Sequence, residues 1–352
     1  MNTHFTDSPE KSPPMELQLK ISEVCGWKCT FCSSTKISDD HYQILDIDAV
    51  YDFLKRFPDT STLIINGGDP LMIKPQYYWD IIKYLDDNNM STSISFTTNL
   101  WPFFKNPDKW TPLLSHPRCG VTTSFNYGDT RRISHDRVYT VDDFWAVSDM
   151  FLDRIGYRPD FISVITDENE ESAIENVVLA KRMDVECKLN YGMASGDLAK
   201  SYQLSKIYQT YLKIYNMGLA EWEYNTKQMI ERLSTGATTC PQSRNCDGGI
   251  RALNPDGQYF SCGSFADDRD KPINFVTEVK LGQFFTPLSD DIDLAVLKQE
   301  CYSCPMFNIC NGCRKTIKDM KMEGIVEDHC SLMKTIADDI IHVNSNVSSR
   351  IN

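Results

Sequence analysis

No run of the chain approaches the roughly 18 consecutive apolar residues that a membrane helix requires. The opening MNTHFTDSPEKSPPM has no apolar core and reads as a polar, proline-containing leader, which excludes a signal peptide and makes the cytoplasm the expected compartment. Positive charge is also short. Lys and Arg number 36 against 49 Asp and Glu, a formal net charge of −13, so the average surface repels polyanions and no general nucleic-acid-binding face is expected. Histidine is scarce, with six in 352 residues. Hydrophobic and charged contents of 41% and 24% are those of an ordinary globular protein with a full core.

Cysteine is plentiful: there are 13. The number is odd, the residues cluster as short-spaced pairs, and no export signal precedes them, so metal ligation is expected rather than a disulfide framework. The first three stand in VCGWKCTFCSS as Cys25, Cys29 and Cys32, directly after the alternating segment ELQLKIS at 16–22. Three soft thiolates suit iron-sulfur or zinc sites, and three is one short of closing a four-iron cube or a zinc tetrahedron. An open coordination position follows, unless a distant Cys or His completes a structural zinc.

Periodicity alternates between strand and helix over the next 170 residues. Strands are expected at 16–22, 62–66, 91–99, 120–127, 160–166 and 185–192. Helices are expected at 46–57, 75–87, 141–156 and around 172–183, with Thr140 capping the third. A Pro- and Trp-rich connection lies between the third and fourth strands. Parallel βαβ units follow, forming a sheet that is open or curled into a partial barrel, with chemistry collecting at the C-terminal strand ends. Residues 202–233 read as one long helix or two joined near Gly218, in which Tyr202, Tyr208, Tyr211, Tyr215 and Tyr224 are packing residues. Past about 236 the composition turns to cysteine, glycine and short turns.

The strand at 62–66 runs into GGDP, residues 67–70, where glycine lets a ligand approach the backbone. With CxxxCxxC after the first strand, this turn resembles the AdoMet-binding motif of the radical SAM superfamily. The resemblance implies a 4Fe-4S cluster held by Cys25, Cys29 and Cys32, whose fourth iron is chelated by S-adenosylmethionine. It implies AdoMet contacts from Gly67, Gly68, Asp69 and Pro70, Asp69 standing where the family more often has Glu, and packing of Phe31 near the adenine. TTN at 97–99 resembles the family's strand-end TNG, with Leu100 replacing the glycine, and SFNYG at 124–128 resembles its SxDG. Ser124 and Asn190 are further candidate AdoMet contacts; either residue could instead serve strand-end backbone groups.

The later cysteines resemble the SPASM extension of radical SAM enzymes. That likeness implies one auxiliary 4Fe-4S cluster on Cys240, Cys246, Cys262 and Cys313 and another on Cys301, Cys304, Cys310 and Cys330, for electron relay or for accepting an electron from a substrate radical. CxxC rather than CxxxC at 310–313 departs from the pattern and leaves the sorting of ligands open. Two zinc knuckles are the alternative that spacing alone permits. Cys119 and Cys187 are left as ordinary buried thiols. The expected architecture is thus α/β: a leader at 1–15, a partial (β/α)6 radical SAM barrel with a helical connection at 16–235, a small cysteine-rich SPASM domain at 236–335 and a tail at 336–352.

The implied chemistry is reductive cleavage of AdoMet to a 5′-deoxyadenosyl radical, with a reductant such as flavodoxin or ferredoxin. Hydrogen would be abstracted from an amino-acid-like centre of a peptide or aminoacyl-modified small substrate, giving oxidation, crosslinking or rearrangement. The first ligand at residue 25 leaves no room for a peptide-recognition domain before the barrel. Gly263 stands where sulfatase-maturing relatives carry a catalytic Asp, which counts against formylglycine formation. Two other readings stay open: a bacteriophage-type isomerase acting on glycine-modified thymidine in DNA, and a non-enzymatic zinc-stapled binding protein. Arg131, Arg132, Arg244 and Arg251 can clamp a carboxylate or phosphate, but surface acids are their expected partners in so acidic a chain. His135 is expected to make a structural hydrogen bond, and no catalytic residue is assigned.

Overall fold

The computed structural model describes residues 16–34, 43–235, 250–260, 262–268, 320 and 322–348. Six parallel strands form its centre: β1 (Glu16–Lys20), β2 (Thr62–Asn66), β3 (Ser93–Thr97), β4 (Cys119–Ser124), β7 (Asp160–Ile165) and β8 (Cys187–Tyr191). Between β4 and β7 a small antiparallel hairpin intervenes, β5 (Arg132–Ser134) and β6 (Arg137–Val138). All six central strands fall where the sequence pattern places them. Two more lie beyond: β9 (Ile250–Leu253) pairs parallel with β1, and β10 (Tyr259–Phe260) pairs antiparallel with β9. The sheet order is β10-β9-β1-β2-β3-β4-β7-β8. A segment that the sequence allots to the cysteine-rich region thus supplies two strands to the main sheet.

Helices cover one face. They are α1 (Ile47–Arg56), α2 (Pro75–Asp87), α3 (Trp101–Lys105), α4 (Pro107–Leu114), α5 (Val141–Ile155) and α6 (Ala173–Met183). Against them the strands bury Leu17, Leu19, Leu63, Ile65, Ile94, Phe96, Phe161 and Leu189, each at most 1% exposed, at about 1.5–3 kcal/mol per side chain. The Pro- and Trp-rich connection is itself helical, as α3 and α4, because Pro102 and Pro107 sit in first turns where no backbone N–H is needed. Thr140 caps α5 as expected, in a capping box with Asp143. After β8 come α7 (Leu204–Asn216) and α8 (Tyr224–Thr235), separated at Gly218, whose φ is +68°. Tyr202, Tyr208 and Tyr211 are buried there, as packing predicts. The chain continues through α9 (Gly263–Asp268), α10 (Val326–Thr335) and α11 (Ala337–Ser348).

The opposite sheet face is mixed, with polar side chains set among Ile64, Ile162 and Val164. Glu16, Gln18, Lys20, Asn66, Ser95, Thr97, Ser124 and Asn190 occupy the alternate strand positions. Parallel strands covered on both sides by helices would be apolar at nearly every position, so the polar share of this face sets it apart from the helix-covered one. The sheet also curls. Lys188 on β8 lowers the carboxyl pKa of Glu16 on β1 against the burial that raises it, although five strand spacings, about 24 Å in a flat sheet, separate the two. The fold is therefore α/β with a curved parallel sheet, open at β8 and β10 among the described residues.

Glu223 anchors the segment that lies along β8. Fully buried, its carboxylate accepts from the backbone N–H of Leu189 at 2.9 Å, Asn225 at 3.1 Å and Thr226 at 2.6 Å, and from the Thr226 hydroxyl at 2.7 Å. Glu223→Ala strands all four donors and should lower unfolding stability by about 3 kcal/mol, read as the shift of a urea midpoint. A midpoint unchanged within error would contradict this role.

Candidate active site at the strand ends

The loop carrying Cys25, Cys29 and Cys32 leaves the C-terminal end of β1 and is laced on three sides. Gly68 N–H donates to Ser22 O and Asp69 N–H to Val24 O, both at 2.8 Å, continuing the β1–β2 pairing past the strands. From the β4 side, Lys28 N–H donates to Arg132 O and Thr30 N–H to Thr130 O, both at 2.9 Å. Behind the loop, Asp197 N–H donates to Thr30 O at 2.6 Å, next to Gly196 at φ +60°. A Cβ on Gly196 would meet Thr30 O at 2.5 Å and Cys32 N at 2.8 Å. Sequence reasoning passed over Gly196, whose only signal was a glycine in the turn after the sixth strand.

The glycines of GGDP prove to serve the chain's own close approach. A Cβ on Gly67 would lie 2.3 Å from Ser22 O, and one on Gly68 2.1 Å from Val24 O. Asp69 is buried and turns inward. Its Oδ1 accepts from Leu71 N–H at 2.8 Å, its Oδ2 from Asn99 N–H at 2.8 Å, and the Thr98 hydroxyl lies 2.9 and 3.0 Å from the two oxygens. Burial pushes its carboxyl up from 3.8 to about 6, against the pull of these bonds. Pro70 opens the short turn Pro70–Met72, and its carbonyl accepts from the Tyr78 hydroxyl at 2.6 Å.

The TTN segment is thus the partner of the GGDP turn. Leu100, standing where the resemblance expects glycine, keeps a glycine-like backbone at φ +58° while its side chain is fully buried. Asn99 reaches the first cysteine, with Nδ2 3.8 Å from Cys25 Sγ.

All three thiols are at least half-buried and raised by that burial; Cys25 and Cys32 also lie in the field of their neighbouring sulfurs, which raises them further, while Arg131 lowers Cys29. Among the described residues no three His, Cys or acidic side chains stand close enough to ligate one ion. Buried polar atoms at the loop also lack partners among the described residues: Trp27 Nε1, Thr30 Oγ1 and the Tyr139 hydroxyl. Tyr139 packs on Trp27 with ring centroids 4.5 Å apart. Unsatisfied donors around three sulfurs fit a sulfur-rich anion.

Of the other predicted residues, Phe31 is half-buried with the Arg131 guanidinium 5.1 Å above its ring centroid. Ser124 ends β4 opposite Ile162, and Asn190 lies near the end of β8 opposite Val164, both half-buried at the same end of the sheet. Cys262 packs against Ala252, Phe260 and Ala266, while Cys330 lies on α10. Cys240, Cys246, Cys301, Cys304, Cys310 and Cys313 lie outside the described residues, as does Arg244. Cys187 is fully buried beside Ser163, whereas Cys119 is only half-buried at the start of β4. Two arginine expectations are corrected. Arg132 bonds to the backbone carbonyls of His135 and Asp129 rather than to an acid, leaving the His135 ring exposed. Arg131 is 5% exposed and meets no acid among the described residues.

Residues 19–180, a span that includes the cysteine loop, the 67–70 turn and TTN, match the family model of the radical SAM superfamily. This segment is a radical SAM domain. The superfamily's members are enzymes, and solved structures share the fold. Native anSMEcpe with bound AdoMet and Cp18Cys peptide superposes with a TM-score of 0.65 at 15% identity, over 95% of this chain and 100% of that one. Streptococcus suis SuiB bound to precursor peptide SuiA gives 0.57 at 16% identity, over 87% of this chain and 73% of that one. At such identities the likeness is one of fold. No curated protein matches the chain, and no described helix is long and apolar enough to cross a membrane.

Two outcomes test how the radical SAM domain builds this site. Gly68→Ala places a carbon against Val24 O and should cost about 2 kcal/mol or more while lowering iron uptake on anaerobic reconstitution. Wild-type stability and iron content would contradict the backbone lacing. The second concerns Asp69. With its folded pKa above 3.8, the native state binds the extra proton, so the Asp69 contribution is present below about 4 and is lost as pH rises through about 6. The iron-free wild type should lose roughly 3 kcal/mol over that window relative to Asp69→Asn, measured by denaturant unfolding across pH. Parallel pH profiles would contradict it.

Proposed function

We propose that this chain is a radical SAM enzyme of the SPASM type that cleaves S-adenosylmethionine reductively and abstracts hydrogen from an amino-acid-like centre of a peptide or aminoacyl-modified small substrate. The observation that carries this reading is the joint placement of Cys25, Cys29 and Cys32 with the Gly67–Pro70 turn, tied together by the Gly68 and Asp69 backbone bonds. The cluster, when bound, supplies one electron to the AdoMet sulfonium, giving methionine and a 5′-deoxyadenosyl radical.

This chain's own residues do the rest. Cys25, Cys29 and Cys32 hold the cluster and leave one iron for AdoMet. Gly67, Gly68, Asp69 and Pro70 present backbone to its methionine end, Phe31 packs near its adenine, and Ser124 and Asn190 offer polar contacts. Substrate would lie over the sheet face that carries Gln18 and Asn190, and the curvature of the sheet would limit water's approach to a reactive carbon radical. A peptide substrate is supported by the shared fold with anSMEcpe and SuiB, both of which have been captured with peptides.

Cys240, Cys246, Cys262 and Cys313, with Cys301, Cys304, Cys310 and Cys330, are assigned to two closed auxiliary 4Fe-4S clusters that relay electrons, in a domain spanning 236–335. Flavodoxin or ferredoxin would be the reductant. Anaerobically reconstituted protein should contain about twelve irons per chain and form 5′-deoxyadenosine from AdoMet under dithionite. Cys29→Ala should lose about four of those irons and all 5′-deoxyadenosine formation. Protein that takes up only zinc, or a Cys29 variant that still cleaves AdoMet, would overturn the reading.

A further inference from the structure

Arg131 is a buried cation in an unusual setting. Arg118, Arg137, Arg154 and Arg158 each meet an aspartate near the surface. Arg131 instead lies in the interior, 5% exposed, with no carboxylate against it among the described residues. Its Nε donates to Asn126 Oδ1 at 3.0 Å and its guanidinium lies over Phe31. Asn126, fully buried, is fixed in turn through Nδ2 to the Thr130 hydroxyl at 3.0 Å and Tyr127 O at 3.2 Å. The residues on either side, Thr130 and Arg132, accept the Thr30 and Lys28 backbone bonds, so the segment is stitched to the cysteine loop around the guanidinium. The groups whose charge acts on Arg131 are the sulfurs of Cys29, Cys32 and Cys25 and the Tyr139 hydroxyl.

A guanidinium stays protonated, and burying one without a counter-ion is strongly unfavourable. The three sulfurs are the anions that this position offers. We propose that Arg131 is the counter-charge of the cluster held by Cys25, Cys29 and Cys32, and that it raises that cluster's reduction potential. The inference rests on the functional reading above. Reduction takes one electron from an external donor and adds one negative charge to the cluster. A fixed positive charge beside it stabilises the reduced state over the oxidised one. Asn126 and Phe31 hold the guanidinium in place, so Arg131 acts through the cluster and not on substrate.

The test is an EPR-monitored redox titration of the full-length, anaerobically reconstituted protein, following the reduced-cluster signal that Cys29→Ala lacks. Arg131→Gln should lower the reduced-to-oxidised ratio at fixed potential about tenfold, a downward shift of about 59 mV for a one-electron couple. Arg131→Lys should stay within threefold of wild type. Arg131→Gln with wild-type iron content and a ratio within threefold of wild type overturns the proposal. If Arg131→Gln does not hold iron, Asn126→Asp decides, since it sets an anion against the guanidinium: a downward shift of threefold or more supports the counter-charge, and an unshifted potential overturns it. Iron lost from the Gln and Asp variants but kept by Arg131→Lys also supports it, whereas loss from all three assigns Arg131 a role of shape and overturns it. Wild-type protein with no iron on these cysteines would fail the functional reading first, an outcome distinct from equal potentials in loaded proteins.

Discussion

Two backbone hydrogen bonds, from Gly68 and Asp69 to Ser22 and Val24, are the constraint on which the site depends. They carry the β1–β2 pairing beyond the strands and bring the GGDP turn against the segment that leads into Cys25. Neither bond could form with a side chain at residue 68, where a Cβ would stand 2.1 Å from Val24 O. Asp69 then passes the constraint on to β3, its buried carboxylate holding the backbone at Asn99 and the Thr98 hydroxyl. Three strand ends are thereby fixed to one another by buried groups at the C-terminal end of the sheet.

Electrostatics follow from that geometry. One buried and two half-buried thiols share this end of the sheet with the buried Asp69 carboxylate, and Arg131 is a buried cation set beside them. Lys20, also buried, is paired with Asp267 of α9, which lies in the field of Cys32. Segments distant in sequence thus surround the cysteine loop with charge of both signs. In a chain with a net charge of −13, the positive groups at this site are placed where burial makes each of them count.

Much of this was legible in the sequence. Local pattern located all six central strands: alternation marked β1 and β3, whose outer positions are polar, while β2 stood out as a short apolar run before GGDP. The CxxxCxxC and GGDP motifs marked the site because their spacing has few other uses. What stayed hidden had weak local signals. Strand β10 is two residues long and β9 is flanked by cysteine-rich sequence, so their pairing with β1 is a long-range choice that no local pattern encodes. Arg131 looked like its neighbour Arg132, since burial and partners are decided by the fold and not by the residue type. Leu100 hid a glycine-like backbone behind an apolar side chain. The glycines of GGDP also make room for the chain itself, a close approach to Ser22 and Val24 that no local pattern signals.

The central claim is that Cys25, Cys29 and Cys32 leave one iron open and that AdoMet takes that position. Electron-nuclear double resonance on the reduced, reconstituted protein, with AdoMet labelled with ¹⁵N at the amino group and ¹⁷O at the carboxylate, tests it directly. Hyperfine coupling of both labels to the cluster signal is the predicted result. A cluster signal that is indifferent to labelled AdoMet at saturating concentration would contradict the account.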